Sequence, residues 1–365
     1  MKVAKRTKTR SIIAIARSAK IIALCGIIIL LFGTCSARND GAGSDRTINI
    51  RFASSIPTAE LSSLTSASSM AIGHFAKEIE KQSNGRITVT MFPDGQLASS
   101  TAEHVTGLLS GAFDMCNLNN GAWSDYTPAF AGLNIPYLYF DFETAWAVLD
   151  SEQLGQNWLK FAQEATNLIP LTYLDVGFRQ LTNSIREVRT PEDLRGIKLR
   201  TMVDNLQMAA WNALGVAVTP VPYAELYTAL QQRLVDGQEN PVSNIVGARL
   251  FELQPYMTIT NHNYTATIIA ASPIIWKRLS QEDQVLVRSV WKEAQELSRQ
   301  NIIRLAEEQM SIIKNYGVRI YYPSDDELRL FQNGVMQVWP EVEKEMGTRE
   351  YNKLINFVND FVSNR

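Results

Sequence analysis

Residues 177–201, GFRQLTNSIREVRTPEDLRGIKLRT, decide how this chain is read, and they hold five arginines, Arg179, Arg186, Arg189, Arg195 and Arg200. Alternation sets Phe178 and Gln180 against Arg179 and Leu181, then Ile197 and Leu199 against Lys198 and Arg200, which is the period of a β-strand. Between the two strands, Thr190-Pro191-Glu192-Asp193 reads as a helix start, with Thr as N-cap, Pro at the first helical position and acids at the positive end of the dipole. Gly196 ends that single turn. Arg179 and Arg200 therefore stand on strands, where backbone and rotamer are held, and a guanidinium fixed there grips a carboxylate bidentately, as a lysine ammonium does not. From spacing alone an arginine is more often a solvated or ion-paired surface residue. Arg186, Arg189 and Arg195 border turns and fall in that class.

Working outward, TINIRFA (47–53) alternates like a strand, a helix follows over 68–83 with Phe75 and Ile79 on one face, and Asn84-Gly85 reads as its left-handed stop. RITVTMF (86–92) alternates again, a helix covers 102–109, and AFDMCNL (112–118) is the next strand. NIPYLYF (134–140) and a helix over 142–149 then lead to the strand LIPLTYLDV (168–176). Strands alternating with helices predict an α/β fold with parallel sheets covered on both faces. Further on, Ser280 with Asp283 reads as a capping box before a periodic run from Gln281 to about residue 315, with no Pro or Gly until Gly317. A helix of about 30 residues spans about 45 Å at about 1.5 Å per residue, longer than one small domain needs and suited to bracing two lobes. Two more helices are expected after Ser324 and after Thr348.

The 365 residues, 45% apolar and 20% charged with 20 Gly and 13 Pro, make an ordinary globular chain long enough for two domains. Its first 20 residues carry seven basic and no acidic side chains, and the apolar run Ile21–Gly33 follows at once. That run is shorter than the roughly 20 apolar residues a membrane crossing needs, so residues 1–37 read as a signal peptide. Two processing readings stand side by side. Cys35-Ser36-Ala37 offers small residues to a signal peptidase, whereas Phe32-Gly33-Thr34-Cys35 has the form of a lipoprotein site with Phe where Leu is usual, which would make Cys35 a lipid anchor. RNDGAGSDR (38–46) suits a tether. Losing residues 1–37 removes seven of 35 basic and none of 37 acidic residues, leaving 28 against 37, a net charge of −9 that points to no nucleic acid partner. Cys116 then stands without a disulfide partner and reads as a small buried hydrophobe.

Catalytic patterns are missing from the sequence. The three histidines, His74, His104 and His262, are widely separated, and there is no G-x-S-x-G, H-E-x-x-H, C-x-x-C or G-x-x-x-x-G-K-[ST]. No catalytic residue, metal site or cofactor is expected, and an exported hydrolase using two carboxylates is the weaker alternative to a binding protein.

The run 177–201, followed by PVPYAELYTALQ (220–231) and VDGQENP (235–241), resembles the DctP family of solute-binding proteins that serve tripartite ATP-independent periplasmic (TRAP) transporters. The resemblance extends from about Thr47 to the C-terminus, through FAKEIEKQSNGRITVTMFPDGQL (75–97) and TITNH (258–262). It implies a two-lobed periplasmic-binding-protein-like (type II) α/β fold with a long helix bracing both lobes. Lobe I would take 47–176 and about 266–305, and lobe II 177–265 and about 306–365. It also implies a periplasmic protein that closes on a small organic acid and delivers it to integral membrane TRAP subunits; a ligand-sensing subunit for a membrane receptor is the alternative. Within that pattern Arg200 pairs with the acid, Arg179 supports it, Asn240 hydrogen-bonds the acid and Tyr223 lines the cleft. Where sialate-binding relatives carry charged readers, this chain has Ser100, Asn119 and Ala122, with Trp123 following, and Ser54 and Ser55 replace the His or Asn common near the first strand. Asn119 and Trp123 are thus further candidates, Trp123 being equally suited to core packing, and the ligand is expected to be small and more apolar or aromatic. In Asn261-His262-Asn263 the histidine is expected to be structural, in a hinge region.

Overall fold

The computed structural model describes residues 47–365; the signal peptide read over 1–37, the candidate anchor Cys35 and the tether over 38–46 lie outside the described residues. The described strands are β1 (Ile48–Ala53), β2 (Ile87–Phe92), β3 (Met115–Asn119), β4 (Ile169–Asn183), β5 (Lys198–Thr201), β6 (Ala217–Pro220), β7 (Gly237–Pro241), β8 (Tyr256–Thr258), β9 (Tyr264–Ala271) and β10 (Arg319–Tyr321). They join into one sheet in the order β2-β1-β3-β9-β4-β7-β5-β6, with β8 branching from β4 and β10 from β8.

Pairing is parallel at both ends of this path, between β1 and its neighbours β2 and β3 and between β5 and its neighbours β6 and β7. In the middle, β3–β9, β9–β4 and β4–β7 are antiparallel, so the sheet is mixed where a parallel one was expected. The difference has a simple origin: alternation reports which residues share a face of a strand, not which neighbour the strand takes. β4 differs from expectation as well. LIPLTYLDV and FRQL are continuous in one 15-residue strand, which passes a register shift between Asp175 and Gly177. Gly177 has φ +119°, open to glycine but not to a side chain with a Cβ. The first part of β4 pairs with β9 and its last residues with β7 and β8, so one strand carries the chain from one half of the sheet to the other.

Four helices matter for the site. α1 (Thr58–Ser63) was not expected, having no periodic apolar face. α2 (Ala67–Gln82) was, and its Ser66 N-cap and Ser69 side chain satisfy each other's backbone in a capping box. α3 (Val242–Gly247) follows β7 directly. α4 (Gln281–Tyr316) has 36 residues, and Ser280 caps it by accepting from the Asp283 amide. At about 1.5 Å per residue this helix is about 54 Å long. Along α4, Val287, Val290, Trp291 and Ala294 enter the apolar cluster beneath β1 and β2, with Trp291 stacked on Phe75 at 4.0 Å. Nearer its C-terminus Ile313 enters a separate cluster with Val235, Ile245 and Met257. One helix thus ties two cores together, as its length predicts. Cys116 is fully buried in the largest cluster. Among the described residues no helix is long and apolar enough to cross a membrane.

Candidate functional site

β7 lies between β4 and β5, and its register brings the charged residues of three strands together: Arg179 stands opposite Pro241, Gln180 opposite Asn240, and Arg200 opposite Gln238. Arg179 is buried and bonded through all three nitrogens. Its Nε and Nη2 donate to the Glu239 carboxylate, the latter at 2.9 Å, while Nη2 also reaches the Glu239 carbonyl at 2.6 Å and Asn240 Oδ1 at 3.0 Å, and Nη1 donates to Thr265 Oγ1 at 3.2 Å. His262 Nε2 lies 3.0 Å from the same carboxylate, and its Nδ1 is 2.8 Å from Thr260 Oγ1. Burial works against a charge on Glu239, but the Arg179 guanidinium and His262 hold its pKa down to about 2, while burial lowers that of His262. The result is a locked ion pair with no net charge.

Arg200 is equally buried, at 1% exposed, but its surroundings differ. Nε and Nη2 both donate to the Val221 carbonyl, at 2.8 and 2.5 Å. Among the described residues no carboxylate forms an ion pair with it, and none of the hydrogen bonds uses Nη1. Burial pushes its pKa down to about 10, since the already committed Glu239 and, less strongly, Tyr223 offset only part of the loss of water and Arg179 adds repulsion.

Both arginines line one cavity of about 290 Å³, together with Asn240, Tyr223 and Asn119. Asn240 is largely committed inside the wall: Oδ1 accepts from Arg179 and from Asn244 Nδ2 at 3.2 Å, and Nδ2 donates to Gln238 Oε1 at 2.5 Å. The Tyr223 hydroxyl donates to the Asn244 carbonyl at 3.0 Å, which ties this lining residue to the helix after β7. Trp123 needs correction as a site residue. It is 1% exposed, does not line the cavity and stacks on Phe130 at 5.9 Å. A large apolar ring is stabilised more by such a core than by a polar cleft. Arg186, Arg189 and Arg195 are exposed, as their turn positions predict.

The rest of the lining is mixed, with apolar surface from Ile56, Leu118, Val176, Met202 and Val203 beside a polar part. Ser55, Ser68, Ser100, Asn117, Thr265 and Thr267 present hydroxyls and amides to the cavity, and among the described residues its aromatic lining is Tyr126 and Tyr223. Sequence reasoning also passed over two acids. Glu239 gives no signal until the register of β7 against β4 is known. Glu60, in α1, is 4% exposed, lines the same cavity and accepts a 2.5 Å hydrogen bond from Ser66 Oγ. Burial raises its pKa to about 7. No cluster of three His, Cys, Asp or Glu suited to a metal occurs among the described residues.

Residues 59–345 match the family model described as bacterial extracellular solute-binding protein, family 7, DctP. Protein y4mM of Sinorhizobium fredii strain NBRC 101917 / NGR234 is 36% identical over 230 residues, 63% of this chain but 42% of that protein's length. The 2,3-diketo-L-gulonate-binding periplasmic protein YiaO of Escherichia coli strain K12 is 31% identical over 261 residues, 71% of this chain and 78% of that protein. Among solved structures, the sugar acid binding protein DctPAm of Advenella mimigardefordensis strain DPN7T, in complex with galactonate, superposes with a TM-score of 0.81 at 28% identity, covering 86% of this chain and 99% of that one.

Proposed function

This chain belongs to the DctP family, the bacterial extracellular solute-binding proteins of family 7, and on that premise we propose that it captures a small organic acid at Arg200 and hands it to the integral membrane subunits of a TRAP transporter. The family has the two-lobed periplasmic-binding fold and consists of binding proteins, not enzymes. The observation that carries the acid assignment is the buried Arg200 guanidinium without a carboxylate. A cation out of water is costly unless an anion meets it, and a ligand carboxylate supplies that anion with bidentate geometry. Arg179, neutralised by Glu239, acts as a fixed donor wall behind it. Galactonate in the Advenella protein supports an acid as the ligand class.

Lobe I is assigned to 47–176 and about 266–305, lobe II to 177–265 and about 306–365, with β4 and β9 passing between them. Opening exposes both arginines to solvent; closure over the ligand expels water and strengthens the ion pair in the lower dielectric. Because the chain is net negative, local field rather than overall attraction draws the anion in. Residues 1–37 are read as the export signal of a periplasmic protein, with Cys35 as a lipid anchor if cleavage precedes it.

Native mass spectrometry of gently purified protein is expected to release a carboxylic acid. In calorimetry with that acid, Arg200→Ala is expected to weaken binding about a hundredfold or more. A released ligand without an acid group, or undiminished affinity in the variant, refutes the reading. Reconstituted uptake that ignores addition of the protein would refute the transporter partner.

A further inference from the structure

We propose that Glu60 selects the ligand at a second point in the cavity, favouring a monocarboxylate that carries a hydroxyl donor away from its acid group and rejecting a second carboxylate. The inference rests on the acid-binding role of Arg200 and adds the class of acid.

Glu60 is held in an unusual way for a surface-helix residue. It sits on the six-residue helix α1, reaches inward to 4% exposure and lines the cavity with Arg200. One carboxyl oxygen accepts from Ser66 Oγ, the N-cap of α2. The other lies against Gly247 at the end of α3, so close that a Cβ there would come within 1.9 Å of it. A glycine at that point is what leaves room for the carboxyl, and no hydrogen bond from a described residue reaches this oxygen.

Among the described residues no cation pairs with Glu60: burial dominates its environment and the Ser66 hydroxyl opposes it, whereas Tyr223 feels the charges of Glu60, Arg200 and Arg179. The other titratable groups on the cavity wall do not change this. His104 is buried with Nδ1 2.8 Å from the Ser100 carbonyl, and Asp125 is exposed to solvent. The wall therefore presents one buried cation lacking an anion and one buried acid with a single donor, Ser66 Oγ, on one of its two oxygens. A ligand hydroxyl donates to the free Glu60 oxygen; a second carboxylate placed there meets a like charge or must bind a proton. The serine, threonine and asparagine groups around it suit further hydroxyls in between.

The test uses the full exported chain, freed of bound ligand, and calorimetry at pH 8 with two matched pairs: galactonate against galactarate, and erythronate against meso-tartrate. Each pair differs in whether the far end is a hydroxymethyl or a carboxylate. Wild type is expected to bind the monoacid at least about tenfold more tightly in at least one pair, and Glu60→Gln to bring that ratio close to one by gaining affinity for the diacid. Gly247→Ala, which keeps Glu60 but drives its carboxyl from its seat, is expected to reduce the ratio too. Both variants are checked for folding by thermal unfolding. Equal or better binding of the diacids by wild type overturns the inference, as does a ratio that neither variant changes, or wild type binding none of the four acids. If Arg200→Ala leaves acid binding intact, the acid-capture role itself fails; if acids bind through Arg200 but Glu60 has no influence, only the present inference fails.

Discussion

Replacing Arg200 with methionine separates ligand capture from stability, because the ligand-free protein holds this guanidinium at a cost. Burial lowers its pKa from the ordinary arginine value to about 10. That shift corresponds to about 3 kcal/mol, at about 1.4 kcal/mol for each tenfold change in proton affinity. The sign follows from the two proton affinities. The unfolded arginine keeps its proton to a higher pH than the folded one, so folding stability rises with pH only above about 10, and at pH 7 the whole penalty is present. Methionine removes that penalty and fills much of the same volume. Against this, the buried Val221 carbonyl loses both its guanidinium donors, a loss of about 1–3 kcal/mol. The ligand-free variant is therefore expected to be between unchanged and about 2 kcal/mol more stable. With an unfolding entropy of about 2 cal/mol/K for each of about 320 residues, that is a melting temperature shifted by about 0 to +3 °C. Acid binding is expected to fall at least about a hundredfold. Scanning calorimetry without ligand and titration calorimetry with it read the two effects. A melting temperature lowered by about 5 °C or more would make Arg200 a structural residue, and affinity within about threefold of wild type would remove it from the site.

Arg179→Met is expected to behave in the opposite way, destabilising the protein by about 3–5 kcal/mol because Glu239 is left charged and buried beside His262. Urea unfolding measures the loss, and the added Glu239→Gln change is expected to restore part of it; an Arg179→Met protein as stable as wild type would show that the pair does not hold the strands together. Glu60 gives the pH dependence. Its folded pKa of about 7 lies above the ordinary 4.5, so its contribution is fully present below about pH 4.5 and is lost as pH rises through 7. Relative to Glu60→Gln, ligand-free wild type is expected to lose up to about 3 kcal/mol between pH 5 and pH 8.5, and parallel stability profiles of the two proteins would contradict the burial of this acid.

What the sequence made legible was local. Alternation around Arg179 and Arg200 placed both on strands, the TPED turn and the Ser280 cap marked two helix starts correctly, and an unbroken periodic run predicted the bracing helix. What it left hidden depends on neighbours distant in the chain. Glu239 becomes the partner of Arg179 only because β7 is inserted between β4 and β5, and no periodicity encodes which strand comes next. Glu60 is buried through Ser66 on one side and Gly247 on the other, and its own segment, PTAELSS, has no apolar periodicity to announce it. Trp123 is ambiguous locally because an indole serves a cleft or a core equally well; the position of Phe130 decides it.

The unequal treatment of two neighbouring arginines has an electrostatic consequence for what the cavity accepts. With Glu239 committed to Arg179, the pair of guanidiniums presents one net positive charge rather than two, and burial keeps His104 below its ordinary pKa and therefore neutral above pH 7. One carboxylate cancels that charge. A second would enter uncompensated, and two unit charges about 4 Å apart repel by about 4 kcal/mol at an effective dielectric constant of about 20, so a like-charged Glu60 makes the penalty larger. Had both arginines been left bare, their mutual repulsion would have been relieved best by a dianion. Neutralising Arg179 from within the protein thus supports the proposed monocarboxylate rather than a dianion as the ligand.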